Sequence, residues 1–248
     1  MLRFAFHFVG VLALTLLTQV GGLAWLFALF FRYRIIAFVL AYVALCTAAL
    51  WAAPSFGRVP LNCFDSGPLQ VQSWIYCVLN RNYVATELKD VLVKTSKKMD
   101  KQFPGTTTLV LDANFPFWNG FPLLPHLSHD DGKKVDLAFY YRDGIDYLPG
   151  ATRSPVGYFA FESGPTNCQR KWPTLRWDLN YLQPLWRNYA LDEVRTSAAI
   201  KIFTADTRVG KVLIEPHLVK KLNLTDPKIR FQGCRAARHD DHIHLQLE

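Results

Sequence analysis

The first 57 residues contain no acidic side chain and only three basic ones, Arg3, Arg32 and Arg34, and this near-absence of charge restricts the fold more than any other feature. Residues 4–31 form a run of 28 without Lys, Arg, Asp or Glu, and residues 35–53 form a second run of 19. A helix of about 20 apolar residues crosses a hydrocarbon core, so either run is long enough to span. The first run is too long, and wrongly flanked, for a simple cleaved signal peptide. Phe31-Arg32-Tyr33-Arg34 is just long enough to turn a tight hairpin. The expectation is a two-span transmembrane hairpin over residues 1–57, in contact with membrane lipid. A signal segment followed by one span, and a buried soluble hairpin, are the alternatives.

Arg32 and Arg34 in the connector favour a cytoplasmic connector, which sends the long C-terminal domain to the outer side, while Arg3, the amino terminus and Arg58 oppose it. Cys46 lies in the second apolar run. Cys63, Cys77, Cys168 and Cys234 form an even set in the polar part, compatible with two disulfides in an oxidising compartment and with three connectivities. Four unpaired thiols are the alternative. Of the 28 basic and 20 acidic residues, all but the three N-terminal arginines belong to the remaining 191 positions, an ordinary soluble-domain balance. The net charge of +8 is therefore no sign of nucleic-acid binding, and the basic residues form no concentrated stripe.

Residues 58–104 read as a juxtamembrane linker and a helical N-terminal part of the outer domain, with an apolar stretch at 71–79 and an amphipathic helix over 83–99. Residues 105–248 read as the core. Strands are expected at 106–111, 135–141, 155–161, 201–204, 211–214 and 242–247, with a helix within 177–199 beginning after Pro184. The alternation implies a membrane-anchored α+β protein with a central, mainly antiparallel sheet. A doubly wound nucleotide fold is disfavoured, since neither GxGxxG nor GxxxxGK occurs.

Histidine placement points to chemistry. Five of the seven histidines fall in two clusters, His126 and His129, and His239, His242 and His244. His129 opens HDDGKKVD, which closes on Asp136, so a loop imidazole and a carboxylate at the start of a strand converge if Asp130-Asp131-Gly132 turns the chain. The terminal HDDHIH puts His242 and His244 on one face of a strand, because side chains alternate with period two. A His-Asp-His shell with one open position suits zinc, which polarises a carbonyl and lowers the pKa of water.

The segments SHDDGKKVD at residues 128–136 and HDDHIH at 239–244 resemble the penicillin-insensitive murein endopeptidases, within the wider group of metallopeptidases that includes D-alanyl-D-alanine dipeptidases and lysostaphin-like enzymes. The resemblance implies a compact α+β fold around an antiparallel sheet, with Zn2+ held by His129, Asp136 and His244. It further implies His242 as the nearby catalytic histidine and His239 as an additional site histidine. Asp241, three residues before His244, is the alternative base, and local loop geometry decides between it and His242. The activity implied is zinc-dependent hydrolysis of an amide in a D-amino-acid-containing peptidoglycan peptide, by a protein of the inner (cytoplasmic) membrane with its C-terminal domain on the periplasmic or outer side. A D,D-dipeptidase for small peptides, and a non-catalytic cell-wall or protein-binding module with a structural metal, are the competing readings. Glu162 and Glu215 read as solvated loop ends, His217 as a packing residue, and Arg235 and Arg238 as surface charges or carboxylate binders. Phe115, Phe117, Trp118 and Phe121 wall a groove or pack in the core.

Overall fold

A computed structural model describes residues 1–166, 168–169 and 173–248. In chain order the α-helices are α1 (Leu2–Thr18), α2 (Gly21–Ala28), α3 (Arg34–Ala52), α4 (Trp74–Val78), α5 (Thr86–Gln102), α6 (Glu193–Ala205) and α7 (Pro216–Lys221). The strands are β1 (Arg58–Pro60), β2 (Leu69–Val71), β3 (Tyr83–Ala85), β4 (Thr108–Val110), β5 (Lys134–Ala138), β6 (Tyr141–Asp143), β7 (Asp146–Tyr147), β8 (Ala190–Leu191), β9 (Val209–Leu213), β10 (Ile229–Arg230) and β11 (His242–Leu247). The chain divides into two compact units. One comprises Met1–Leu61, Trp74–Lys89 and Ala113–Lys134; the other comprises Asn62–Ser73, Asp90–Asp112 and Val135–Glu248.

In the first unit the expected pair of spans is corrected to one. Only the helix Arg34–Phe56, which continues α3 through a short 3-10 turn, is long and apolar enough among the described residues to cross a membrane. The first apolar run breaks instead at Gln19, whose φ of 66° ends α1. The Thr18 hydroxyl accepts the Gly21 N–H at 2.8 Å, and α2 starts at once. Glycine is required here by close approach: a Cβ on Gly22 would stand 1.9 Å from Thr15 Oγ1 and 2.7 Å from the Val11 carbonyl oxygen. A count of charges cannot see this break, because Gln, Thr and Gly carry none. In the same unit β1 pairs antiparallel with β3, matching Val59 to Val84.

The second unit is built on a six-stranded sheet of order β10-β9-β11-β5-β4-β2. It is mixed, not mainly antiparallel: β2/β4 and β9/β10 are parallel, while β4/β5 and β9/β11 are antiparallel. Parallel neighbours need a crossover, and each pair has one. The chain passes through α4 and α5 between β2 and β4, and through α7 between β9 and β10. The segment 201–204, expected as a strand, belongs to α6, which begins at 193 rather than just after Pro184. Asp192 caps that helix by accepting the Arg195 N–H at 2.9 Å, and its apolar side buries Ala199, Ile200 and Phe203. Without a strand there, no hairpin forms with β9.

The central strands are buried. Val135, Leu137 and Ala138 of β5, Val212 and Leu213 of β9, and Ile243, Leu245 and Leu247 of β11 all lie in the core, together with the polar Asp136, His242 and His244. Residues 155–161 form no strand. Positive φ at Gly157 and Phe159 folds them into a loop closed by the Ser154 hydroxyl on the Tyr158 carbonyl. Cys168 and Cys234 form a disulfide, Cys63 and Cys77 are also disulfide-bonded, and Cys46 is free.

Candidate metal centre

Asp136 sits at the middle of β5, where its backbone is fixed on both sides. Its N–H donates to the Asp112 carbonyl at 2.8 Å, and its carbonyl accepts the Leu111 N–H at 2.9 Å. Its side chain is fully buried, with the two oxygens divided between partners. Oδ1 lies 2.8 Å from His244 Nδ1 on the adjacent strand β11, and Oδ2 accepts the Tyr158 hydroxyl at 2.8 Å. The same hydroxyl accepts the Asp112 N–H at 3.1 Å, so the loop between the two positive-φ residues exists to present this tyrosine to the carboxylate.

His129 lies in the loop before β5. Its Nδ1 is 2.8 Å from the Ala113 carbonyl oxygen. A carbonyl only accepts, so Nδ1 carries a proton and Nε2 is the ring atom left to meet a metal. That is the arrangement by which a second partner fixes a metal-ligating imidazole. The loop is organised by Arg58, only 2% exposed, whose guanidinium donates to the carbonyls of Phe115, Phe117, Trp118 and Asp130 and to Asn119 Oδ1.

One ligand atom from each of His129, Asp136 and His244 can be chosen so that all lie within 4.8 Å of one another, and all three residues are buried. Two ligands on a tetrahedral zinc at about 2.0–2.1 Å stand roughly 3.3 Å apart, so the side chains would draw together to close on a cation. Two imidazoles and one carboxylate are a donor set that suits zinc and leaves a fourth position. The residues present therefore fit a bound divalent metal.

His242 stands beside this group with its Nε2 3.6 Å from Asp136 Oδ1. Its Nδ1 is 2.5 Å from Asp241 Oδ1, and Asp241 Oδ2 accepts the Phe159 N–H at 2.6 Å. Asp241 precedes the first residue of β11 and lies in a bend, so its carboxylate reaches the ring of the next residue instead of pointing away as an extended segment would require. Burial pulls the His242 pKa down, but Asp136 and Asp241 outweigh it and carry the pKa up to about 9. The Tyr158 ring packs edge-on against His242 at 5.0 Å.

The other expected residues fall as follows. The His239 ring lies 5.0 Å from His242 and 5.6 Å from His244 but outside the three-residue ligand group. Glu162 and Glu215 are not solvated loop ends. Glu162 is buried and pairs with Arg153, and Glu215 takes a two-pronged bond from Arg176 at 2.8 and 2.6 Å. Arg238 is engaged by Asp240 at 2.9 and 2.5 Å. His217 is packed, with Nε2 4.0 Å from Asp240. Phe115 is buried against Phe121, whereas Trp118 is exposed. Tyr158, Asp112 and Arg58 were missed as site residues. Only Gly157 hinted at the turn that positions Tyr158, and Arg58 read as a topology charge because it follows the apolar helix. The sequence matches no protein-family model, and no curated protein is similar to it.

Proposed function

We propose that this chain is a membrane-anchored, zinc-dependent amide hydrolase of the murein endopeptidase type, cleaving a D-amino-acid-containing peptide of peptidoglycan on the periplasmic or outer face of the cytoplasmic membrane. The observation that carries the reading is the buried His129–Asp136–His244 group with a carboxylate-held imidazole, His242, beside it. A purely structural metal has no use for such a neighbour. When bound, the metal supplies Lewis acidity to a scissile carbonyl.

The protein groups supply the proton handling. Asp241, itself held by the Phe159 N–H, keeps the proton of His242 on Nδ1 and stabilises the ring when it becomes charged. With the Asp136 charge, the largest cause of the raised His242 pKa, committed to a bound metal, Nε2 would face the ligand group unprotonated, placed to take a proton from an attacking water and return it to the leaving amine. Asp241 thus supports the base, and His242 is the base. The resemblance to murein endopeptidases in the segments 128–136 and 239–244 supports the substrate class. The disulfides support an oxidising compartment, and the apolar helix supports anchoring to the membrane.

The test uses full-length protein in detergent or lipid nanodiscs, incubated with purified cross-linked peptidoglycan, with and without chelator and with zinc restored, and products read by mass spectrometry. Wall peptides should appear only with zinc. His129→Ala, Asp136→Ala and His244→Ala should lose metal and activity together, whereas His242→Gln should keep metal and lose activity. Folded, zinc-loaded protein that releases no wall fragment sinks the endopeptidase assignment. Cleavage of small D,D-peptides in its place would indicate a dipeptidase, and no cleavage of either would leave a metal-stabilised binding module. A reporter fused to the C-terminus should report an outer location.

A further inference from the structure

The break in the first apolar run does more than end a helix. Gln19 is only 5% exposed, and its carboxamide makes a reciprocal pair of bonds with one residue 98 positions away: Nε2 donates to the Phe117 carbonyl at 2.8 Å, and Oε1 accepts the Phe117 N–H at 2.9 Å. Such a pair holds the two peptide units that flank Phe117 and so fixes both the position and the rotation of that residue's backbone. Phe117 lies in the stretch that ends in His129. It is held a second time by Arg58, whose guanidinium donates to its carbonyl at 3.0 Å and to the Asp130 carbonyl, next to His129, at 2.9 Å. The Asp130 carbonyl also accepts the Gly120 N–H at 3.0 Å. The Phe117 ring packs on Phe56, at the end of the spanning-length helix, with centroids 5.0 Å apart. All these groups belong to one compact unit.

We infer that Gln19 is a positioning residue for the candidate ligand His129, so that the N-terminal apolar helices are a structural support of that ligand's loop and not a detachable anchor. The chain of contacts runs from Gln19 to the Phe117 peptide, from that peptide through Arg58 to the Asp130 carbonyl, and so to the adjacent ligand His129. A glutamine within a run that has no charged residue is costly unless its amide is paired, and here the pair it makes is with the ligand-bearing loop. Because the effect of Gln19 on metal affinity and the effect of metal on the Gln19–Phe117 bonds are one coupling, each must appear in the other's measurement.

The inference rests on the metal-binding reading, and its test separates the two. Zinc affinity is measured by competition with a chromophoric chelator on full-length protein in nanodiscs. Gln19→Met, close in shape and unable to make either bond, should weaken zinc binding by roughly tenfold, the lower end of what loss of an outer partner costs a metal site. Gln19→Glu, which keeps an acceptor for the Phe117 N–H, should fall between that variant and wild type. Thr47→Ala, which removes a hydroxyl bonded only within α3, should leave zinc affinity unchanged. Thermal melts of the zinc-free proteins establish that each variant is folded. Independently of any variant, zinc added to wild-type protein should slow hydrogen exchange of the Phe117 amide by about the same factor. Folded Gln19→Met with wild-type zinc affinity, or no protection of the Phe117 amide by zinc, would overturn the inference. Wild-type protein that takes up no zinc would defeat the metal-centre reading itself.

Discussion

Tyr158→Phe isolates one atom of the proposed centre. The hydroxyl donates to Asp136 Oδ2 at 2.8 Å and accepts the Asp112 N–H at 3.1 Å, while the ring that packs on His242 is retained by phenylalanine. The two lost bonds act on different equilibria. The Asp112 N–H loses an acceptor in the metal-free and metal-loaded protein alike, so that cost, about 1 kcal/mol, lowers stability and cancels from metal affinity. The bond to the Asp136 carboxylate orients a ligand, and a hydrogen bond to a charged group contributes about 1.5–3 kcal/mol. Loss of an outer partner of a metal ligand lowers affinity by about 10–100-fold, or about 1.4–2.7 kcal/mol. The two ranges overlap, so the zinc dissociation constant should rise by about 10–100-fold, read by chelator competition. Tyr140→Phe is the control. Its hydroxyl is equally buried and lies 2.7 Å from Thr108 Oγ1 in the same unit, but it is not bonded to a ligand carboxylate. It should cost about 1 kcal/mol of stability and leave zinc affinity alone. Equal zinc affinity in Tyr158→Phe and wild type, or equal weakening by both substitutions, would refute the assignment of the Tyr158 hydroxyl to the metal shell.

Three further outcomes follow from the same geometry. In chelated protein the folded-state pKa of His242 is raised to about 9 from an unfolded value near 6.5. A raised pKa gives stability that is full below the unfolded value and lost as pH climbs through the folded one. Urea midpoints should therefore fall between about pH 6.5 and 9, and His242→Gln should flatten that slope. Arg58→Met strips a shared donor from five buried or part-buried oxygens and should cost more than about 3 kcal/mol; Arg58→Lys should rescue little, since an ammonium has three donors and no fork. Chemical denaturation checks both. Cys168→Ser opens a cross-link between residues 66 apart, which by chain entropy is worth about 4 kcal/mol, and its denaturation midpoint should match that of the wild type in strong reductant only if the other disulfide-bonded cysteines contribute little.

Legibility followed the range of the signal. Residues 135–141 and 242–247 read as strands because β-branched and aliphatic residues cluster there, though the first ends at Ala138 and a new strand begins at Tyr141, and the same period-two rule put His242 and His244 on one face. The segment 201–204, Lys-Ile-Phe-Thr, has equally good strand residues but continues a helix whose start is set by the Asp192 cap nine positions earlier. Sheet direction was illegible because it depends on which strands the helices carry together, not on the strands themselves. The supporting residues were invisible for a different reason. Tyr158, Arg58 and Gln19 act on partners 22, 57 and 98 positions away, and nothing in their neighbours in sequence marks the contact.

Several buried carboxylates of the second unit differ in the kind of cation they face, and the difference bears on what the centre holds. Glu162, Asp192, Glu215 and Asp240 each face a guanidinium, from Arg153, Arg195, Arg176 and Arg238. Their charge is balanced by a permanent cation, as burial demands. Asp136 and Asp241 face imidazoles instead, His244 and His242, with a tyrosine hydroxyl and a backbone N–H completing them. An imidazole balances a carboxylate only when it is protonated, which is why these carboxylates lift His242 so far. A fold that needed only a stable core had arginine available and used it four times within the same unit. At Asp136 and Asp241 it kept partners whose charge can be exchanged, and under the proposed function the exchange is for a metal ion at Asp136 and for a proton in transit at Asp241, the two that metal-assisted amide hydrolysis requires.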